Sequence, residues 1–265
     1  MIASLLDTNL ILDDYYEKRE NHEKFQKFVA NFKYGELSYT LTMLTECIER
    51  ITKVLAKFSS TLNNAITARH SSQKTWDELK AQNRKELLDK IISSIKSNPQ
   101  KYENDAPVLI QLFEVLSKYI ETWSELEVRE LYTSIIPNLI SAFVNYLRGR
   151  FNRVDPYSPS TDLELKEKTK DIQSTLSQIF IKPYDSNDRK ITYDILMLIL
   201  WGTDSGLTFS AVTFYTNDHA FLKNLINLQS NFMDDSNPKS ICARERIRFL
   251  DPYDKSNLGA GPAEI

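Results

Sequence analysis

Two apolar segments, far apart in the chain, each end in a small cluster of aspartate, threonine and asparagine. The clusters are Asp7-Thr8-Asn9 after residues 2–6 and Thr216-Asn217-Asp218 after residues 211–215. Short, uninterrupted apolar segments are typical of buried parallel strands. Ligands of open parallel sheets bind beyond the carboxyl ends of the strands. The pattern therefore predicts that Asp7 and Asp218 face each other across one crevice.

Two further acids are expected on the same side of the sheet. Glu46 lies in a helix that follows a second predicted strand, residues 37–41, and another acid belongs to the helix before residues 211–215. Asp188 is favoured for that position because it follows Ser186, a good N-cap residue. Asp194 is the alternative, because an acid inside so apolar a stretch requires an explanation.

Clustered carboxylates repel one another, and a divalent cation relieves that repulsion. Mg²⁺ prefers oxygen ligands, polarises a phosphoryl oxygen and activates a water for attack. The three histidines, His22, His70 and His219, lack the spacing of metal ligands, and no Ser/His/Asp arrangement is evident. The sequence therefore predicts metal-dependent hydrolysis of a phosphate ester.

The motifs resemble those of PIN-domain nucleases. The opening Asp7-Thr8-Asn9, the acid Glu46 and the late Thr216-Asn217-Asp218 with an aromatic shortly after it occur in the order that this family shows. The resemblance covers residues 1–58 and 184–252.

This resemblance implies a fold, an activity and a set of site residues. The fold would be α/β, a PIN-like three-layer structure with a short central parallel sheet, and the activity that of an endonuclease, usually on RNA. Three or four acids would hold Mg²⁺ or Mn²⁺, with polar neighbours that orient ligands or waters. The implied catalytic and metal-binding acids are Asp7, Glu46, Asp188 or Asp194, and Asp218. The implied orienting residues are Thr8, Asn9, Thr216 and Asn217.

Helical spacing of apolar residues, without a convincing strand, predicts a large insert that splits the α/β domain. The expected segments are a first part, residues 1–58, a helical insert, 59–183, a second part, 184–252, and a disordered tail, 253–265. One helix, capped by Asp7, Thr8 or Asn9, is expected to continue through Phe32 and to end at Gly35. The insert would cover the substrate as a lid or a basic clamp.

Simpler structural roles stay open for the same acids. Asp7 and Asp218 have the chemistry of helix caps and turn residues, and Glu46 suits a solvated helix face. Asp13 and Asp14 are expected on such a face, although Asp13 is also placed to reach a second metal. The rival functions are a non-catalytic RNA- or protein-binding module on the same scaffold, and a toxin controlled by an inhibitory protein partner.

Two regions have the composition of a nucleic-acid contact surface, and the resemblance to PIN-domain nucleases implies RNA rather than DNA as the nucleic acid. Residues 66–101 hold eight Lys and Arg residues against four acids. Near residue 150, aromatic side chains alternate with arginines, as in surfaces that track phosphates and stack bases. The predicted contacts there are Arg148, Arg150, Phe151 and Arg153.

The composition excludes several other classes. The 265 residues are 42% hydrophobic and 26% charged with a formal net charge of −3, which is typical of a soluble globular chain. No apolar stretch is long enough to span a membrane, and the amino terminus lacks the pattern of a signal peptide. Two separated cysteines, Cys47 and Cys242, fit a reducing compartment, so a cytoplasmic location is expected.

Overall fold

The computed structural model of the chain describes residues 1–33, 35–70, 77, 81–102, 105–120, 122–158, 163–182, 186–232 and 246–254. The strands in these residues are β1 (Ile2–Leu6), β2 (Leu37–Tyr39), β3 (Asn152–Arg153), β4 (Ala211–Tyr215) and β5 (Ile247–Leu250). The helices are α1 (Thr8–Tyr15), α2 (His22–Asn31), α3 (Leu41–His70), α4 (Ala81–Ser97), α5 (Pro99–Tyr102), α6 (Ala106–Ser117), α7 (Glu125–Arg150), α8 (Leu163–Ile179), α9 (Ser186–Trp201) and α10 (His219–Phe232).

The strands form one parallel sheet in the order β3-β2-β1-β4-β5. From the central β1 the chain adds β2 and β3 on one side, and later β4 and β5 on the other. The strand order therefore reverses between β1 and β4, which pair from Ile2 with Ala211 to Leu6 with Tyr215. Open parallel sheets bind ligands at such a switch point, and the α/β class expected from the sequence is confirmed.

The central strands are apolar because both of their faces are covered. Leu5, Leu6, Val212 and Phe214 are fully buried, as expected for strands inside a parallel sheet. The burial fixes the ends of β1 and β4, and with them the polar residues that follow each strand.

The chain divides into two compact units. Unit 1 contains residues 1–15, 23–47 and 146–265, and unit 2 contains residues 16–22 and 48–145. Residues 146–183 were expected in the helical insert but belong to unit 1, because β3 pairs in parallel with β2. Nothing in the sequence marked this strand, which has only two residues, both polar and exposed.

Unit 2 has an apolar core of its own. Apolar side chains of α3, α4 and α6 pack there, and Phe58 lies against Phe113 with ring centroids 4.5 Å apart. Arg84 is 8% exposed and donates to the main-chain oxygens of Ile120 and Trp123. The Arg84 guanidinium therefore stabilises the main-chain oxygens of the loop after α6.

The first helix and the tail differ from the sequence-based expectation. The chain leaves the helix after Tyr15 and resumes as α2 at His22, because residues 17–24 are charged or polar and supply no apolar face to bury. Tyr253 was expected in a disordered tail, yet its hydroxyl donates to Asp13. Residues 255–265 lie outside the described residues.

Among the helices that the structure describes, none has the length and apolarity that crossing a membrane requires.

The link from α9 to β4 depends on a glycine that cannot be replaced without strain. Gly202 has φ +74°, and a Cβ there would overlap the carbonyl group of Leu207, whereas Gly206 has φ +81° and open space around it. Gly206→Ala should cost about 1 kcal/mol of unfolding free energy for its positive φ. Gly202→Ala should cost about 2 kcal/mol more because the new atom also clashes. Urea unfolding followed by circular dichroism measures both, and equal losses would contradict this account.

Candidate active site at the carboxyl edge of the sheet

Asp7 occupies the switch point between the two central strands. Its backbone N–H donates to the carbonyl oxygen of Tyr215 at 2.9 Å, so the ends of β1 and β4 lie side by side. Its carboxylate accepts from the Thr216 hydroxyl at 2.8 Å and from the Thr8 N–H at 2.7 Å. The residue is only 4% exposed. The structure therefore places a buried carboxylate where the fold predicts a ligand.

Asp218 is linked to Asp7 through the hydroxyl of Thr216. That hydroxyl donates to Asp7 and accepts from the Asp218 N–H at 3.0 Å. Asp218 Oδ1 caps α10 by accepting from the N–H groups of Ala220 and Phe221, which is the structural role left open by the sequence. No group in the described part of the chain donates to Oδ2, so one oxygen of this half-exposed carboxylate can bind a ligand.

Glu46 joins the same edge through Thr8. The Thr8 hydroxyl donates to Glu46 Oε2 at 2.8 Å, and Glu46 is 5% exposed. A solvated position for Glu46 is therefore wrong. Two threonines thus connect three acids from β1, α3 and the end of β4.

Asp194, rather than Asp188, reaches this edge of the sheet. The Thr40 hydroxyl, directly after β2, donates to Asp194 Oδ2 at 2.8 Å, and Thr42 is a second hydrogen-bond partner. Thr42 and Glu46 are four residues apart on α3, so their Cβ atoms lie about 5–6 Å apart on one face. Asp194 therefore lies about one helical turn of α3 from Glu46.

Asp188 points to a different side of α9. Six residues separate it from Asp194, which corresponds to about 240° of rotation and about 9 Å along the axis. Its main-chain oxygen accepts from the Thr192 hydroxyl. The two acids therefore cannot approach the same ion.

Burial changes the protonation equilibrium of Asp194. Removal from water raises the pKa of its carboxyl group, the nearby charge of Asp155 raises it further, and the bonds from Thr42 and Thr40 lower it in part. The carboxylate form is therefore held at a cost that a bound cation would reduce.

A further buried acid, Asp13, lies beside Asn217 and binds Tyr253, a residue that was not predicted at this site. Asp13 is 1% exposed, and its Oδ2 accepts from Asn217 Nδ2 and from the Tyr253 hydroxyl, both at 3.2 Å. The expected solvated face is wrong for Asp13 and for Asp14, which is 4% exposed. The signal was the run Leu10-Ile11-Leu12, because three consecutive apolar residues leave a short helix without a solvent face.

The oxygen atoms at this edge are of the kind that a hard divalent cation binds, but the described acids do not converge on one point. Carboxylate and hydroxyl oxygens are the ligands that Mg²⁺ and Mn²⁺ prefer. Among the described residues, however, no three Asp, Glu, His or Cys side chains form a group able to hold an ion. The acids are bridged instead by threonine hydroxyls, and every buried side-chain nitrogen and oxygen in the described chain has a hydrogen-bond partner.

The predicted nucleic-acid contacts are only partly supported by their positions. Phe151 is 5% exposed and directly precedes β3, so it is not available to stack on a base and lies at the amino edge of the sheet. Arg150 donates to the buried Asp14. Arg148 is exposed, and Arg153 ends β3 at the carboxyl edge, where it pairs with Asp155. Asp155 in turn accepts from the N–H of Leu41 at the start of α3.

The basic region at residues 66–101 belongs to unit 2. Lys74 and Lys80 lie outside the described residues, and Arg84 is buried as described above. Four lysines of this region are exposed: Lys85, Lys90, Lys96 and Lys101.

Comparison with known proteins gave no relative: no family model, no curated protein and no solved structure matches the chain. The resemblance to PIN-domain nucleases therefore stays a prediction, and a function must be argued from the arrangement of the side chains.

Asp14 gives a direct test of how buried charge is stabilised in unit 1. It accepts from Arg150 Nε at 3.0 Å, from Gln26 and from the Tyr146 hydroxyl, whose pKa is raised by burial and by this bond. Arg150→Ala leaves the buried carboxylate without its cation and should lower the free energy of unfolding by about 1–3 kcal/mol. Urea unfolding measures this loss. Arg148→Ala is the matched control, and an equal loss in both variants would refute the role.

The raised pKa of Asp194 predicts a pH-dependent stability. A carboxyl whose pKa is higher in the folded than in the unfolded chain stabilises the fold below the unfolded value, ordinarily 3.8, and loses that contribution as pH rises. Asp194→Asn should therefore gain stability relative to the parent chain as the pH rises above the unfolded pKa of the Asp194 carboxyl group. Melting temperatures measured in chelator check this, with the exposed Asp204→Asn as a control for one lost charge. A difference that is constant with pH would contradict the assignment.

Proposed function

We propose that the protein is a divalent-metal-dependent endonuclease that hydrolyses phosphodiester bonds, with RNA as the favoured substrate. The observation that carries the proposal is the set of buried acids at the carboxyl edge of the sheet. Asp7, Glu46 and Asp194 are each at most 8% exposed, come from three different elements and are bridged to one edge of the sheet by threonine hydroxyls.

Burial of several carboxylates at one place is costly for the fold. Asp7, Glu46 and Asp194 each accept a hydrogen bond from a threonine hydroxyl, and Asp7 also accepts one from a backbone N–H. Such donors stabilise a carboxylate, but they do not cancel the repulsion between neighbouring anions. A divalent cation would do so, and this gives the acids a reason to be retained at a ligand-binding edge.

Each residue has a defined part in the proposed site. Asp7 and Asp218 would hold the ion from the two central strands, and Glu46 and Asp194 would complete the acidic edge from the helices, in preference to Asp188. The hydroxyls of Thr8 and Thr216 donate to Glu46 and Asp7, and they would orient water or phosphate once an ion competes for the acids. The ion, when bound, would polarise the phosphoryl oxygen and lower the pKa of a water.

A substrate of RNA follows from the resemblance to PIN-domain nucleases and has support in local charge. Arg153 lies at the same edge as the acids and is exposed, so a phosphate backbone that reaches Asp7 can also meet this cation. Arginine contacts of this kind position a strand without reading its sequence.

A non-catalytic binding module on the same scaffold is the second candidate. It is favoured by one observation: the acids are satisfied by hydrogen bonds, and no three of the described metal-binding side chains surround a common point. In that case the threonine bridges would persist in the working protein, and no metal ion would bind the acids.

The two candidates differ in their response to a metal ion. An endonuclease site should bind Mn²⁺ and raise the melting temperature of the parent chain, because the ion binds the folded state alone. Asp7→Asn should remove the shift. A parent chain whose melting temperature does not respond to millimolar Mn²⁺ would favour the binding module.

Single substitutions of the acids should separate catalytic from structural roles. Asp7→Asn and Asp218→Asn should each lower Mn²⁺-dependent cleavage of labelled single-stranded RNA by at least about 100-fold, since losses at residues that only support ligands already reach that size. Asp194→Asn should also lose activity, and Asp188→Asn and Asp204→Asn should keep it. The same assay with single-stranded DNA and tRNA tests the choice of substrate, and a chelator tests whether cleavage requires the metal. Full activity of the Asp7 and Asp218 variants would end the proposal.

A further inference from the structure

A cavity of about 380 Å³ lies beside Asp194. Asp194 lines it, whereas Asp7, Glu46 and Asp218 do not. It is lined by residues of α8 and α9 and by Thr42 near the start of α3. A volume of this size is at the lower end of the range for pockets that bind small organic ligands.

The α9 side of the cavity carries two cations and an aromatic ring on one face of the helix. Arg189 and Tyr193, and likewise Lys190 and Asp194, are four residues apart and therefore neighbours on that face. Arg189 is held by its bond from Nη1 to the Ser177 hydroxyl on α8, at 3.3 Å. Lys190 is exposed. Both positive charges thus border the same space.

The opposite wall offers polar groups and an apolar surface. Gln173 and Ser177, four residues apart on α8, face the cavity together with the buried Leu176. The Tyr193 hydroxyl forms hydrogen bonds with Thr169 and Gln173, which hold its ring at the α8 side. The Gln173 amide can form hydrogen bonds with the edge of a planar heterocycle, and the Tyr193 ring can stack on its face.

We infer that this cavity binds one nucleotide unit of a single-stranded nucleic acid, with its phosphate at Arg189 and Lys190 and its base against Tyr193 and Gln173. The inference rests on the proposed function, because Asp194 belongs both to this cavity and to the acidic edge. A strand held here would have its neighbouring phosphodiester directed toward that edge.

Binding in the absence of metal tests the cavity separately from catalysis. Fluorescence anisotropy of a labelled five-nucleotide single-stranded RNA, in chelator, gives the dissociation constant without cleavage. Arg189→Ala and Lys190→Ala should each weaken binding by about tenfold or more, as expected for the loss of a charged hydrogen bond. Lys27→Ala and Lys223→Ala, exposed lysines on α2 and α10, are the matched controls and should bind within about twofold of the parent.

The base contact is tested by the ring of Tyr193 and by competition. Tyr193→Phe should keep most of the affinity, and Tyr193→Leu should lose about tenfold, because stacking requires the ring. Adenosine and uridine monophosphate should compete with the labelled strand, whereas inorganic phosphate at the same concentration should not. Competition by phosphate alone would show an anion site without a base, and would overturn the inference.

Failure of this inference can be told from failure of the proposed function. If cleavage requires Asp7 while the Arg189 and Lys190 variants bind RNA like the parent, the cavity is wrong and the endonuclease stands. If those variants lose RNA binding while no chain cleaves RNA, the cavity stands and the endonuclease is wrong. Melting temperatures show whether Arg189→Ala unfolds the chain. If it does, Lys190→Ala still tests the cavity, because Lys190 is exposed and its replacement should leave the fold intact.

Discussion

The parallel pairing of β1 with β4 is the constraint on which the rest of unit 1 depends. It places residues more than two hundred positions apart at one edge, where the Asp7 N–H binds the Tyr215 oxygen and the Thr216 hydroxyl binds the Asp7 carboxylate. Since both strands are buried on both faces, their polar ends are the first positions at which side chains meet a crevice. The candidate site is thus a consequence of the sheet topology.

Three kinds of buried acid occur in unit 1, and each is stabilised differently. Asp14 is neutralised by Arg150 and serves the packing between α1 and the end of α7. Asp13 accepts from an amide and a phenol, and so fixes Asn217 and the segment after β5. Asp7, Glu46 and Asp194 are bridged by threonines at the edge where ligands are expected. The first two kinds have a structural explanation within the described chain, and for the third the proposed function supplies one, a divalent cation.

The sequence predicts those parts of the structure that depend on burial. β1 and β4, and the acids that follow them, were evident because a strand covered on both faces must be apolar throughout. β3 could not be predicted, since its two exposed polar residues pair only because β2 offers a free edge. The burial of Phe151 and the preference for Asp194 over Asp188 depend on which helix faces meet, and the spacing of one sequence does not contain that information. Gly202 illustrates the same limit, because its need for glycine arises from the carbonyl group of Leu207.

The central claim is that Asp7, Glu46, Asp194 and Asp218 share a divalent cation. Crystals grown with Mn²⁺ allow the ion to be located by its anomalous scattering, independently of any activity. The account predicts a Mn²⁺ peak bonded to Asp7 and Asp218 at the β1/β4 edge, at ligand distances of about 2.0–2.3 Å. Threonine bridges that persist unchanged at saturating Mn²⁺, with no peak at that edge, would contradict it.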